Sequence, residues 1–135
     1  MIYLDSSVAL AHLLAEDRFP AEDLWRQQLL SSRLLEYEVW NRIHARRLDR
    51  SHGDAVRALI GGVALLELAP PVLARALDPF PIPVRILDAL HLASIEFLRQ
   101  RQQQLELASY DERLIAGARA LDVPLYGVGT ATRQK

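Results

Sequence analysis

The strongest constraint on this chain is an alternation of short apolar runs with longer stretches of helical spacing. The runs, at residues 2–4, 29–32, 65–68, 105–108 and 125–128, have the length of buried strands. Helical patterns occupy residues 7–14, 21–30, 33–48, 54–64, 70–77, 84–101 and 111–121. Pro20 with Glu22 and Asp23, and Ser51-x-x-Asp54, read as starts for two of these helices. Strands separated by helices pair in parallel through right-handed crossovers, so the pattern predicts an α/β fold with a parallel sheet. Asp78-Pro-Phe-Pro-Ile-Pro83 carries prolines at alternate positions and reads as an extended connection. No internal repeat and no linker divides the chain, so residues 1–135 are expected to form one domain, with a loose tail from Thr130 onward.

Composition narrows the function classes. The chain has no cysteine, which removes disulfides, thiolate metal sites and cysteine nucleophiles together. The formal net charge is −1, from 16 Lys+Arg against 17 Asp+Glu, a balance that argues against a polycation coating nucleic acid. It leaves room for a nuclease, because acids gathered at a metal site offset basic residues elsewhere. Lys135 is the only lysine. Arginine is the better residue for bidentate phosphate contact, although genome composition is the simpler explanation of its exclusive use. The start, MIYLDSSV, lacks a basic stretch ahead of an apolar core, so no signal peptide is expected. No apolar run approaches the length of a membrane span. A cytoplasmic protein is the expectation.

In such folds the working groups lie beyond the carboxyl ends of the strands. Asp5 stands there after Ile2-Tyr3-Leu4, and Asp111 follows the run at 105–108 by the same logic. Each also suits a helix N-cap, and Ser109-x-x-Glu112 offers a competing capping box. Asp88 shares a helix side with Leu92 and Ile95. A carboxylate on that inward side has to be paired, hydrogen-bonded or metal-bound. Arg85 and His91, at i−3 and i+3, are its structural alternatives. Glu38 shares its side with Leu34, Asn41 and Ala45, with Arg42 as the obvious partner. Glu36 faces the side of Trp40 and Arg47 and can reach Arg33 or solvent. Spacing does not choose between the two glutamates. Crowded carboxylates raise each other's pKa, and a divalent cation relieves the repulsion. An all-oxygen donor set suits Mg²⁺ or Mn²⁺ better than Zn²⁺. Such a metal beside water is a means of phosphodiester hydrolysis.

At four stretches, YLDSS, LLEYEVWNR, ILDALHLA and ASYDERL, the chain resembles the PIN-domain family, and within it the VapC-type toxins of bacterial toxin–antitoxin pairs. The similarity spans nearly the whole chain, and LDALHLA and SYDERL are its most specific blocks. The resemblance implies a three-layer α/β/α domain with a central parallel sheet of four to five strands. It implies a metal-dependent endoribonuclease, the toxin component of its pair. It selects Asp5, Glu38, Asp88 and Asp111 as the acidic site residues, with Glu38 preferred because it directly precedes Val39-Trp40-Asn41. Asp5, Glu38 and Asp88 would hold the principal Mg²⁺ (or Mn²⁺), directly or through water. Asp111 would complete the site or hold a second, weaker ion. Ser6 would hydrogen-bond at the metal shell. Products ending in a 5′-phosphate and a 3′-hydroxyl are expected. Arg42, Arg46, Arg47 and Arg50 could position the RNA backbone, though a solvated helix face explains most of them. The implied partners are an RNA substrate chosen by shape and unpaired bases, and an antitoxin whose tail covers the active groove. A second copy in a homodimer is also implied, extending to a larger toxin–antitoxin assembly. Trp25 and Trp40 suit such an interface and suit a core equally.

Other phosphate-handling folds place an Asp after the first strand. A haloacid-dehalogenase-type phosphatase wants a second acid where Ser7 stands, and both it and a response-regulator receiver want a lysine that only Lys135 offers. Gly127-Val128-Gly129 lacks the third glycine and the following helix of a nucleotide loop. No G-x-S-x-G turn is present. The remaining alternative is a catalytically weak PIN-like module that binds RNA or an antitoxin, and metal binding separates it from an enzyme.

Overall fold

The computed structural model describes residues 1–101, 104–128 and 130–132. At its centre is a sheet of β1 (Ile2–Leu4), β3 (Leu29–Ser32), β4 (Val63–Leu66) and β5 (Glu106–Ala108), in the order β4-β3-β1-β5. Every pairing in it is parallel. A separate antiparallel pair joins β2 (Arg18–Pro20) to β6 (Thr130–Thr132). Ile2 sits between Leu29 and Glu106, and Tyr3 between Leu30 and Leu107.

Side chains alternate across a strand, and that alternation sorts the core into two layers. Ile2 and Leu4 pack with Val8 of α1 (Ser6–Leu13), with Leu35, Val39 and Ile43 of α2 (Leu34–Ala45), and with Val56 of α3 (Asp49–Gly61). Tyr3, Leu30 and Leu107 pack on the other face. Their partners there are Leu92 and Ile95 of α5 (Ile86–Gln100) and Leu114 and Ala118 of α6 (Glu112–Ala120). α4 (Pro70–Leu77) packs on α5. Helices therefore cover both faces of a parallel sheet, the α/β/α layering anticipated above. Burial on both faces explains why the strands are almost wholly apolar. Among the described residues no helix is long and apolar enough to cross a membrane.

Several expected elements differ. The helix expected at 21–30 is only a short 3-10 helix, Glu22–Arg26. Leu29 and Leu30 are drawn instead into the sheet, where Leu29 pairs with both Ile2 and Val63. α3 starts at Asp49 rather than Asp54, and the Ser51 hydroxyl donates to Leu48 O at 3.2 Å instead of capping a helix. β4 begins at Val63, two residues before the expected run. The strand expected at 125–128 is reduced to one bridge, Leu125 against Leu107. The tail expected to be loose contributes Thr130–Thr132 to β6, and residues 133–135 lie outside the described residues. Both Trp25 and Trp40 are half-buried against the core beneath α1, α2 and α3.

Gly117 marks the tightest crossing of α6 on α5. A β-carbon there would lie 2.6 Å from Leu92 Cδ1 and 3.4 Å from Val84 Cγ1. Leu92 is itself fully buried, so it has no open space to move into. Gly117→Val is expected to lower the unfolding free energy by about 1–3 kcal/mol, the usual cost of overpacking. The shift should appear in the urea midpoint at unchanged slope. Gly61→Ala, with nothing within 4 Å of the added carbon, is expected to be neutral or stabilising by up to ~1 kcal/mol.

Candidate active site

The carboxyl ends of β1 and β5 are tied together by hydroxyls and one carboxylate. Asp5 follows β1 with extended backbone (φ −86°, ψ 149°) and caps α1. Its Oδ2 accepts from the Ser7 N–H at 3.4 Å, the Ser7 hydroxyl at 2.5 Å and the Ser109 hydroxyl at 2.8 Å. Among the described residues no hydrogen bond reaches Oδ1. Ser7 Oγ also accepts from Tyr110 N–H at 2.9 Å, and Ser109 Oγ from Asp111 N–H at 2.9 Å. Asp5 is only 4% exposed and forms no salt bridge among the described residues. Burial pushes its carboxyl above the usual carboxylate range. His91 and the two serine hydroxyls pull it back in part, and Glu38 adds to the rise.

α2 and α5 belong to opposite layers, yet Glu38 of one meets His91 of the other. His91 Nε2 lies 2.6 Å from Glu38 Oε1, and its Nδ1 lies 2.8 Å from the Tyr3 hydroxyl. Both His91 and Tyr3 are buried. Burial opposes a charge on His91. The hydrogen bond with Glu38 and the charges of Glu38, Asp5 and Asp88 outweigh it and raise the imidazole pKa. Glu36 points away and pairs with Arg33 at 3.0 Å, as its position on the helix anticipated. The expected Arg42 partner of Glu38 is exposed, and His91 takes that place.

Asp88 lies in the first turn of α5 and is 8% exposed. Burial and the neighbouring Asp111 raise its carboxyl above the ordinary range. The Arg85 backbone N–H, His91 and Arg113 offset part of that rise, while the Arg85 guanidinium forms no salt bridge with it. Asp111 is exposed and caps α6. Its Oδ1 accepts from Arg113 N–H at 2.9 Å and Leu114 N–H at 3.3 Å. Ser109 is turned toward Asp5, so the alternative capping box starting there does not form.

The fold thus brings all four sequence-selected acids into electrostatic contact, in pairs: Asp5 with Glu38, and Asp88 with Asp111. Among the described residues no three acidic or imidazole groups converge as a ready chelate. The donor chemistry nevertheless fits a hard cation. Asp5, Glu38 and Asp111 are each fixed through one oxygen, leaving the other uncommitted among the described residues. Two of the four carboxyls are held above their ordinary pKa, the state that a nearby cation would relieve. An ion held here would draw on the carboxylates of Asp5, Glu38 and Asp88, with the exposed Asp111 at the rim.

Some expected contacts fall elsewhere. The hydroxyls bonded to Asp5 belong to Ser7 and Ser109, whereas Ser6 makes no hydrogen bond to it among the described residues. Arg42, Arg46 and Arg47 are exposed and form no salt bridge among the described residues. Reading the sequence assigned His91 only to Asp88 and missed its bonds to Glu38 and Tyr3. The available signal was a tyrosine and a histidine inside otherwise apolar, buried runs. A groove of about 710 Å³ runs between α4 and α5, lined by Leu77, Phe80, Ile82 and Ile86 among others, with none of the four acids in its lining. Leu77 and Ile86 are 88% and 79% exposed at its rim.

A parallel sheet in this order, with acids at its carboxyl edge, defines a PIN-like nuclease architecture. A family model described as PIN domain matches residues 2–120, and the chain belongs to that family. It is also similar to Ribonuclease VapC47 of Mycobacterium tuberculosis. The two are 29% identical over 126 residues, covering 88% of this chain and 90% of the relative.

The raised carboxyls give a prediction with a definite sign. An acid whose pKa is higher in the folded than in the unfolded state favours folding less once it ionises. Asp88→Asn should therefore match the wild type in metal-free stability well below pH 4, where the acid is protonated in both states. As pH rises through the elevated Asp88 value, the variant should melt increasingly above the wild type. Melting curves in chelator across that range test this, and a lower melting temperature for the variant at neutral pH would mean that Asp88 is a stabilising ion-pair partner.

Proposed function

We propose that this protein is a metal-dependent endoribonuclease and the toxin of a toxin–antitoxin pair. The observation that carries this reading is the set of four acids at the carboxyl edge of a PIN-domain sheet. Three of them are anchored through one oxygen with the second uncommitted. The name of the VapC47 relative supports the same activity.

In this reading Asp5, Glu38 and Asp88 bind Mg²⁺ or Mn²⁺, and Asp111 completes the site or holds a second ion. A divalent ion so bound lowers the pKa of coordinated water and offsets charge on the phosphoryl oxygens. The chain's own residues position the reaction. Ser7 and Ser109 fix the Asp5 carboxylate. A site carboxylate orients the attacking water in line with the scissile bond. Water adds to phosphorus and the P–O3′ bond breaks, leaving a 3′-hydroxyl and a 5′-phosphate. Arg42, Arg46 and Arg47, exposed on and just after α2, are the proposed contacts to the RNA backbone. Ser6, at the start of α1, is left with a role only toward water or substrate.

The proposal includes two protein partners, an antitoxin segment covering the active groove and a second copy of the chain. The apolar groove between α4 and α5, with Leu77 and Ile86 exposed at its rim, is the surface that supports such contacts. One observation favours the alternative, a weakly catalytic module that binds RNA or an antitoxin: no three groups converge as a chelate among the described residues.

The test is cleavage of a defined structured RNA by antitoxin-free protein with Mg²⁺ or Mn²⁺. Cutting is expected to vanish with chelator and to fall by roughly 10²-fold or more in Asp88→Asn, the scale seen when one electrostatic stabiliser is removed. Cutting that persists in the variant would refute the site. Mn²⁺ binding without cutting would favour the binding module.

A further inference from the structure

The Tyr3–His91–Glu38 chain is a built feature that the mechanism above leaves unused. Tyr3 is 0% and His91 2% exposed, so neither ring reaches solvent to any useful degree. The phenol and imidazole meet edge to face, at 86° and 5.9 Å between centroids, with the hydroxyl 2.8 Å from Nδ1. The opposite ring nitrogen, Nε2, lies 2.6 Å from Glu38 Oε1. A carboxylate oxygen only accepts, so Nε2 has to carry the proton of that bond. That holds for the neutral ring with the phenol donating to Nδ1, and equally for the charged ring. Tyr3 is anchored in the central sheet, its strand neighbours being Leu30 and Leu107.

The Tyr3 phenol and Glu38 are the groups hydrogen-bonded to the ring among the described residues. Asp5 and Asp88 lie near His91 as charges without hydrogen bonds to it, and Ser31 and Ser94 lie beside the Tyr3 phenol. The Ser31 and Ser94 hydroxyls donate to Leu4 O at 2.7 Å and Leu90 O at 2.8 Å, so toward the phenol their oxygens can only accept. The phenol is the group hydrogen-bonded to Nδ1, opposite the nitrogen that meets Glu38.

We propose that Tyr3 and His91 are positioning residues for Glu38: the strand-anchored phenol orients the imidazole, whose Nε2–H pins Oε1 and leaves Oε2 for the cation. This rests on the metal-site reading above. Partners that orient a metal-bound carboxylate typically change affinity by about 10–100-fold when removed. Glu38 stands on α2 and has no other hydrogen bond among the described residues. Losing this one frees its rotamers.

The experiment measures Mn²⁺ affinity by calorimetry and melting temperature in chelator for the wild type, His91→Leu, His91→Gln and Tyr3→Phe. Glutamine keeps an N–H that can replace Nε2–H, whereas leucine keeps only bulk. The expected result is a loss of about 10–100-fold in His91→Leu, a smaller loss in Tyr3→Phe, and recovery toward wild type in His91→Gln. Nitrogen-15 spectra of the metal-free wild type should show His91 protonated at Nε2. Equal affinity in wild type, His91→Leu and Tyr3→Phe would overturn the proposal. So would equal loss in the leucine and glutamine variants, which would make the ring a packing element. A His91 protonated only at Nδ1 would also overturn it. A wild type that folds but binds no Mn²⁺ would instead sink the metal-site reading, and the positioning role with it.

Discussion

The active edge of this molecule depends on a carboxylate that is buried without a salt bridge among the described residues. Asp5 sits where β1 ends, 4% exposed, and is compensated only by hydrogen bonds and by the nearby imidazole. An isolated buried carboxylate is very costly. The fold therefore surrounds it with hydroxyls: Ser7 from the helix that Asp5 caps, and Ser109 from the end of the neighbouring strand. The same two serines bind the backbone of Tyr110 and Asp111, so satisfying Asp5 also fixes the turn that carries Asp111. One constraint at the end of β1 thereby places two of the four acids.

The other two are placed by the layering. α2 and α5 cover opposite faces of the sheet, and Glu38 and Asp88 project from their amino-terminal halves. Their charges meet around His91, the buried imidazole that responds to Glu38, Asp5 and Asp88 together. In the metal-free protein this ring and the serine hydroxyls relieve Asp5, while the Arg85 backbone N–H, this ring and Arg113 relieve Asp88. A divalent cation would supply the same relief more strongly and would draw on the carboxylate oxygens that no hydrogen bond uses.

Much of this was legible in the sequence because the physics is local. Short apolar runs gave away β1, β3 and β5, and the prolines of 79–83 marked the break between α4 and α5. Asp5 and Asp111 were readable as caps from their place between strand and helix, and Glu36 as the partner of Arg33 from its helix position. The misses are non-local. β2 is a strand only because Thr130–Thr132 returns to pair with it. Leu29 and Leu30 lost their helical assignment to sheet neighbours on β1 and β4. His91 was assigned to Asp88, its neighbour on the same helix, because nothing local says that Glu38 arrives from the opposite layer. Choosing Glu38 over Glu36 likewise needed a family resemblance, since helical spacing treats them alike.

The most direct test of the metal-site reading is thermal unfolding of the wild-type protein with and without Mn²⁺, at neutral pH and free of antitoxin. Ligand that binds only the folded state stabilises by about 2.7 kcal/mol at a hundredfold excess over its Kd. For a chain of this size that corresponds to a rise of roughly 5–10 °C. A rise of that order, strongly reduced in Asp5→Asn, is the expected result. Unchanged melting of the wild type with millimolar Mn²⁺ would contradict a cation site at the edge of this sheet.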